Sequence, residues 1–312
     1  MRSDGMNKVE RVRAALRGVP VDHPPITVWY HFGLQHAPAE KMAAAHLEFL
    51  DAYDLDWLKV MNDYSYPMPK GLDVIATAED LRRIEPLDPG TPPMGEQLRV
   101  IEIVSKTLAG RCLFVDTLFN AWNTLRRSLA KEAMPRFMRE HPAELLQALT
   151  AVNETLIAFA RASLARGAAG IFLAVTASEE YVTREEYDRF MRPFDLALLG
   201  AIRHAGEGHI LHAHGNRIYL DRMLDHPVSA LSWADRDSGP SLGEVRKRTA
   251  LPLMGGLSQS HFAYVSATAV REQVRDAIAT AGRDNLLIAP GCALPSYAFP
   301  EQIRAVVAAA RA

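Results

Sequence analysis

Three side chains in this sequence stand in settings that could bind one transition metal. His212 and His214 stand in Ile210-Leu211-His212-Ala213-His214-Gly215-Asn216, and Cys292 stands in Ala289-Pro290-Gly291-Cys292-Ala293-Leu294-Pro295. Two apolar residues lead into His-x-His and a glycine ends the run, so the stretch reads as a strand end with both imidazoles on one face. Such a pair is half of a metal site, or simply two hydrogen-bonded histidines at a strand end. Cys292 lies in a turn between two prolines, whereas Cys112 lies inside an apolar run and reads as a small buried hydrophobe. Two imidazoles and one thiolate make three zinc ligands with a position left open, the pattern of catalytic rather than structural zinc. The same donors suit blue copper, which needs a weak axial ligand in a sandwich fold.

These residues need a frame. Eight short apolar runs punctuate the chain: Ile26–Phe32, Trp57–Met61, Cys112–Thr117, Gly170–Val175, His209–His214, Ala230–Trp233, Pro252–Gly256 and Leu286–Ala289. Most are continuous hydrophobics without alternation, as parallel strands covered on both faces require. Helical periodicity fills the gaps at Glu40–Tyr53, Met94–Ala109, Pro142–Arg166, Thr183–His204, Asn216–Leu224, Leu242–Thr249, Ala267–Ala281 and Pro300–Arg311. Asn7 with Glu10, and Thr183 with Glu186, form capping boxes. The alternation predicts an α/β fold, a single (β/α)8 TIM barrel over residues 1–312 with its active site at the C-terminal strand ends; an open doubly wound sheet is the runner-up. Residues 1–7 are expected to be disordered, and the Pro/Gly-rich stretch Tyr64–Pro93 a long loop near the barrel mouth.

Composition sets the limits. The 312 residues are 48% hydrophobic and 23% charged, which are globular values, and a formal charge of −2 makes no case for nucleic acid or an anionic membrane. No apolar run reaches the ~18 residues of a membrane span and the N-terminus lacks a signal-peptide core, so a cytoplasmic protein is expected. Two cysteines give no disulfide framework.

In a barrel the residues just after each strand line the functional face. Candidates for binding substrate are His31, Asn62, Tyr64, Trp122, Trp233, Arg236 and Gln259. Candidate catalytic groups are Glu179, Glu180 and Asp235. Either glutamate could be a fourth ligand or a general base, or both could be the acidic approach to the Thr183 helix. Asp235 and Arg236 could bind substrate beside a Trp233 wall, or pair with each other.

With Glu10–Gly18, Asp22 and Leu58-Lys59-Val60-Met61, the His212-x-His214-Gly215 and Ala289-Pro290-Gly291-Cys292 segments make the chain resemble the uroporphyrinogen decarboxylase superfamily, from Val9 to about Arg304. That resemblance implies a (β/α)8 barrel and either porphyrinogen decarboxylation or zinc-dependent, corrinoid-linked methyl transfer. The decarboxylases carry Arg-Gln-Ala-Gly-Arg after the first strand and Gly-His-Gly at the eighth. Here those places hold Trp29-Tyr30-His31-Phe32-Gly33-Leu34-Gln35-His36 and Pro290-Gly291-Cys292, without those arginines or that histidine. A substrate with many carboxylates needs cationic partners, so porphyrinogen decarboxylation is not expected. The methyltransferase branch holds zinc with His-x-Cys and a later Cys. His212 and Cys292 match, and His214 stands where that branch has cysteine. Replacing a thiolate by imidazole leaves the site one unit more positive, which favours loss of a bound thiol's proton and weakens the thiolate as a nucleophile.

The expected function is therefore zinc-dependent methyl transfer to or from a small-molecule acceptor such as a thiol. The alternatives are a decarboxylase or other lyase on a small carboxylic acid, and a non-catalytic corrinoid-binding barrel. No Asp-x-His-x-x-Gly corrinoid-ligand motif is present, so a corrinoid would arrive free or on a partner protein. A homodimer is the candidate assembly.

Overall fold

The computed structural model describes residues 5–312. Seven parallel strands lie side by side in chain order: β1 Trp57–Val60, β2 Leu113–Phe119, β3 Gly170–Val175, β4 Ile210–Ala213, β5 Ala230–Trp233, β6 Leu253–Leu257 and β7 Leu286–Pro290. A helix lies in every connection, so each crossover returns the chain to the same end of the sheet. Strands β3 to β7 are buried along their whole length, which explains why the sequence shows runs and not alternation. The architecture is α/β and TIM-barrel-like.

The eighth expected strand is a correction. Of Ile26–Phe32, only Ile26 pairs, through one isolated parallel bridge to Ile288. Thr27 N–H donates to Ile288 O at 3.1 Å, Ile288 N–H donates to Pro25 O at 2.9 Å, and on the other side Asp56 N–H donates to Ile26 O at 3.0 Å. The segment thus lies between β7 and the entry to β1. Pro24 and Pro25 bring no N–H to a ladder, and the chain leaves the sheet direction before Trp29.

Other boundaries shift for local reasons. The helix expected over Thr183–His204 divides into Arg184–Phe190 and Arg192–Ile202, because Pro193 has no N–H to continue the first one. The Tyr64–Pro93 loop contains a short helix, Ala78–Arg82, closed by a Thr77/Asp80 capping box. Between β2 and Pro142–Ala165, helical periodicity signals nothing, yet the chain makes a turn of helix at Ala121–Thr124, a π-helix at Leu125–Ala130 and a helix at Met134–Glu140. Of residues 1–7, the first four lie outside the described residues. Met6 is held, its N–H donating to Asp22 and its carbonyl accepting from Arg11, and Asn7 caps Lys8–Leu16. Arg11 also bonds Asp22 and the buried Asp56, each at 2.7 Å, and pins that helix beneath the sheet. No described helix is long and apolar enough to cross a membrane.

Candidate metal centre and its cavity

Strand register places the first ligand. His212 pairs with Ser232 across β4 and β5, and its Nδ1 lies 3.1 Å from the Ser232 hydroxyl. That contact leaves Nε2 as the free nitrogen, and the Phe172 ring stacks on the imidazole at 5.1 Å. His214 continues the ladder by one bond, donating its N–H to Val175 O at 2.8 Å, and stands exposed at the rim. Gly215 then turns the chain with φ +108°, where a Cβ would sit 2.1 Å from Ser178 Oγ; only glycine ends the strand here without strain.

Cys292 arrives from β7. Gly291 N–H donates to Leu257 O at 3.0 Å, and a Cβ on Gly291 would lie 2.5 Å from Ala234 Cα, so the turn packs flat against β5's exit. The Cys292 Sγ comes within 3.8 Å of His214 Nδ1. One donor atom from each of His212, His214 and Cys292 lies within 4.8 Å of the others, the spacing of ligands around one ion. Burial alone would raise the Cys292 thiol, but the two imidazoles outweigh it and draw it well below its usual value. In turn, Cys292 raises His214, while burial lowers His212.

The three ligands line a cavity of about 280 Å³ with Trp29, Met61, Phe119, Phe172 and Ala293 as its apolar wall. Lys59, on β1, is buried in that wall. Its ammonium donates to Met61 Sδ at 2.7 Å and Thr117 Oγ1 at 2.9 Å and lies over the rings of Phe172 and Trp29. Burial lowers its pKa to about 7, opposed by Cys292 and Asp63. Arg126 and Arg127 complete the lining, and no carboxylate takes part in it.

Of the residues singled out in the sequence, the structure brings His31 to this cavity, its Nδ1 donating to Asp63 at 2.7 Å. Asn62 and Tyr64 line a neighbouring hollow of about 120 Å³ that shares Phe119 and Arg127 with it. Trp122 lies beneath Arg126, fully buried, rather than on the wall. Gln259 sits behind the Gly291 turn. Glu179 pairs with Arg217 at 2.5 Å, and Glu180 accepts from the Asn216 N–H and side chain, both outside the lining. Trp233, Asp235 and Arg236 are engaged elsewhere: Trp233 Nε1 donates to Pro240 O, Asp235 accepts from Gly256 N–H at 2.9 Å, and Arg236 bonds Gly256 O, Gln273 O and Asp276. Sequence reading missed Lys59, Arg126 and Arg127. A lysine inside the apolar run Trp57–Met61 is a signal; two adjacent arginines outside any strand are not.

Comparison with known proteins gives the family and the fold. The family model described as Uroporphyrinogen decarboxylase (URO-D) matches residues 7–312. No curated protein matches the chain. Among solved structures, a methyltransferase from Methanosarcina mazei superposes with a TM-score of 0.79 at 18% identity, covering 97% of this chain and 98% of that one. A B12-independent methionine synthase from Shewanella sp. W3-18-1, solved with selenomethionine, gives 0.62 at 12% identity over 93% of each chain. A putative vitamin-B12 independent methionine synthase from Listeria monocytogenes gives 0.57 at 14% identity, over 87% of this chain and 85% of that one.

Proposed function

Since the chain belongs to the uroporphyrinogen decarboxylase (URO-D) family, we propose that it is a zinc-dependent enzyme of methyl transfer to or from a small acceptor such as a thiol. The observation that carries the reading is the convergence of His212, His214 and Cys292, within 4.8 Å, on the wall of a cavity. The donor set fits zinc: two nitrogens and one sulfur, the sulfur already drawn toward thiolate, with room for a fourth ligand from substrate. Bound there, zinc would supply Lewis acidity that lowers the pKa of a thiol or of water.

The chain's own residues do the rest. Ser232 fixes the His212 ring so that Nε2 faces the cavity. Trp29, Phe119 and Phe172 hold the apolar part of an acceptor and keep water away from the reacting atom. Lys59 places a positive charge in the wall, which favours an acceptor in its anionic form. The fold extends the proposal to a closed eight-fold barrel in which Ile26 takes the place of the first strand, and to residues 7–312 acting as one domain. A corrinoid, if the methyl donor is one, comes free or on a partner protein.

A second reading, decarboxylation of a small carboxylic acid, has one observation in its favour, a lining that carries Lys59, Arg126 and Arg127 and no carboxylate. The reaction for which the family is named is not assigned to this chain, since Trp29–His36 carries no arginine and Pro290-Gly291-Cys292 no histidine.

Elemental mass spectrometry tests the metal. Purified protein should carry about one zinc per chain, as a single three-ligand site implies, and His212→Ala and Cys292→Ala should lose it while circular dichroism stays unchanged. Wild type that remains metal-free after zinc reconstitution would overturn the reading.

A further inference from the structure

Arg126 and Arg127 are the two charged groups of the cavity that have nothing to do within the protein. Among the described residues, neither guanidinium has a carboxylate or a hydrogen-bond acceptor, and the Nε of Arg126 is buried without a partner. Lys59, by contrast, is held by Thr117, Met61 and two rings. The arginines are held by stacking alone: Arg126 over Trp122 and Tyr181 at 5.5 and 5.2 Å, Arg127 over Phe119 at 3.8 Å. Stacking orients the flat face of a guanidinium and leaves its N–H edge free.

The backbone beneath them is unusual too. Both stand on the π-helix Leu125–Ala130, and such segments concentrate at functional sites because the widened turn redirects consecutive side chains. The nearest carboxylate, Asp63, is already bonded to His31. Arg126 is half-buried and Arg127 exposed, and the two cations repel each other with Asp63 already engaged, an arrangement that a bound anion would relieve.

We infer that Arg126 and Arg127 form an oxyanion site, and that the substrate is a small molecule carrying a carboxylate or phosphate group alongside its reacting atom. Each guanidinium can meet a carboxylate or phosphate in a bidentate manner. This site differs in position from the first-strand arginines of the porphyrinogen branch, which this chain lacks. The inference rests on the cavity being the substrate site, as proposed above, but not on zinc.

Calorimetry on the zinc-loaded full-length chain tests it with four probes: 3-mercaptopropionate, the neutral 2-mercaptoethanol, propionate and inorganic phosphate. The anionic thiol should bind at least about ten-fold tighter than the neutral one, as charge-assisted hydrogen bonds of this kind provide. Arg126→Gln with Arg127→Gln should erase that advantage and leave 2-mercaptoethanol binding unchanged. Propionate and phosphate should each compete with 3-mercaptopropionate, the stronger competitor naming the oxyanion. In wild type alone, the advantage should shrink as salt rises, which holds the inference to account even if the double variant fails to fold. Equal binding of the two thiols by wild type, no binding of any of the four probes, or an advantage that survives in the double variant overturns it. Arginine-dependent propionate binding without any thiol binding would sustain the oxyanion site and remove the thiol reading of the metal.

Discussion

Two strand ends in this molecule look alike in sequence and differ in what the protein does with them. After β5, Trp233, Asp235 and Arg236 combine an aromatic, an acid and a base. Along the cavity wall, Phe119, Cys292, Arg126 and Arg127 offer a comparable mixture. Past β5 every polar group is answered internally: Arg236 alone bonds two carbonyls and one carboxylate. In the cavity the guanidiniums are unanswered and the thiol leans on two imidazoles. The difference is one of satisfaction, not of residue type. A satisfied cluster holds the fold together; an unsatisfied one waits for a ligand.

Stability measurements can break or sharpen that contrast. The largest effect belongs to the satisfied cluster. Trp233, 1% exposed, should cost about 3–5 kcal/mol when changed to Ala, read by denaturant unfolding; a loss below about 1 kcal/mol would mean that the cluster is not structural. A smaller effect is the pH dependence of Asp235, whose pKa burial raises from 3.8 to about 6. The protonated form is the one the fold prefers, so its contribution is complete below about pH 4 and is lost as pH rises to about 6. Asp235→Asn should flatten that part of the stability profile; identical slopes for the two proteins would contradict the assignment. The smallest effect belongs to the cavity. Arg126→Gln and Arg127→Gln should each shift stability by no more than about 0.5 kcal/mol in thermal unfolding, because no protein bond is removed. A larger loss would show that these guanidiniums brace the fold.

The frame was legible where burial on both faces wrote itself as apolar runs. Gly170–Val175 and Ala230–Trp233 were read to the residue. The run Ile26–Phe32 was misleading because Val28 and Trp29 are buried by packing and only Ile26 is paired. The convergence of His212, His214 and Cys292 was legible because His-x-His spacing and a proline-flanked cysteine are local signals. Arg126 and Arg127 were not, because a π-helix has no periodicity of its own and solvent-facing arginines carry the same letters as ligand-facing ones. For Trp233, Asp235 and Arg236, nothing local tells that Pro240, Gly256 and Asp276 come back to meet them.

The seam at Ile26 has a mechanical consequence. β4, which carries His212 and precedes His214, is the middle strand of seven, flanked on each side by three others. Cys292 follows β7, the strand whose outer neighbour is joined through a single bridge. The donor triangle therefore joins the middle strand of the sheet to the strand beside the Ile26 segment. An ion bridging it would tie the end of β7 to the end of β4, and by linkage its binding energy would be added to the stability of the folded state.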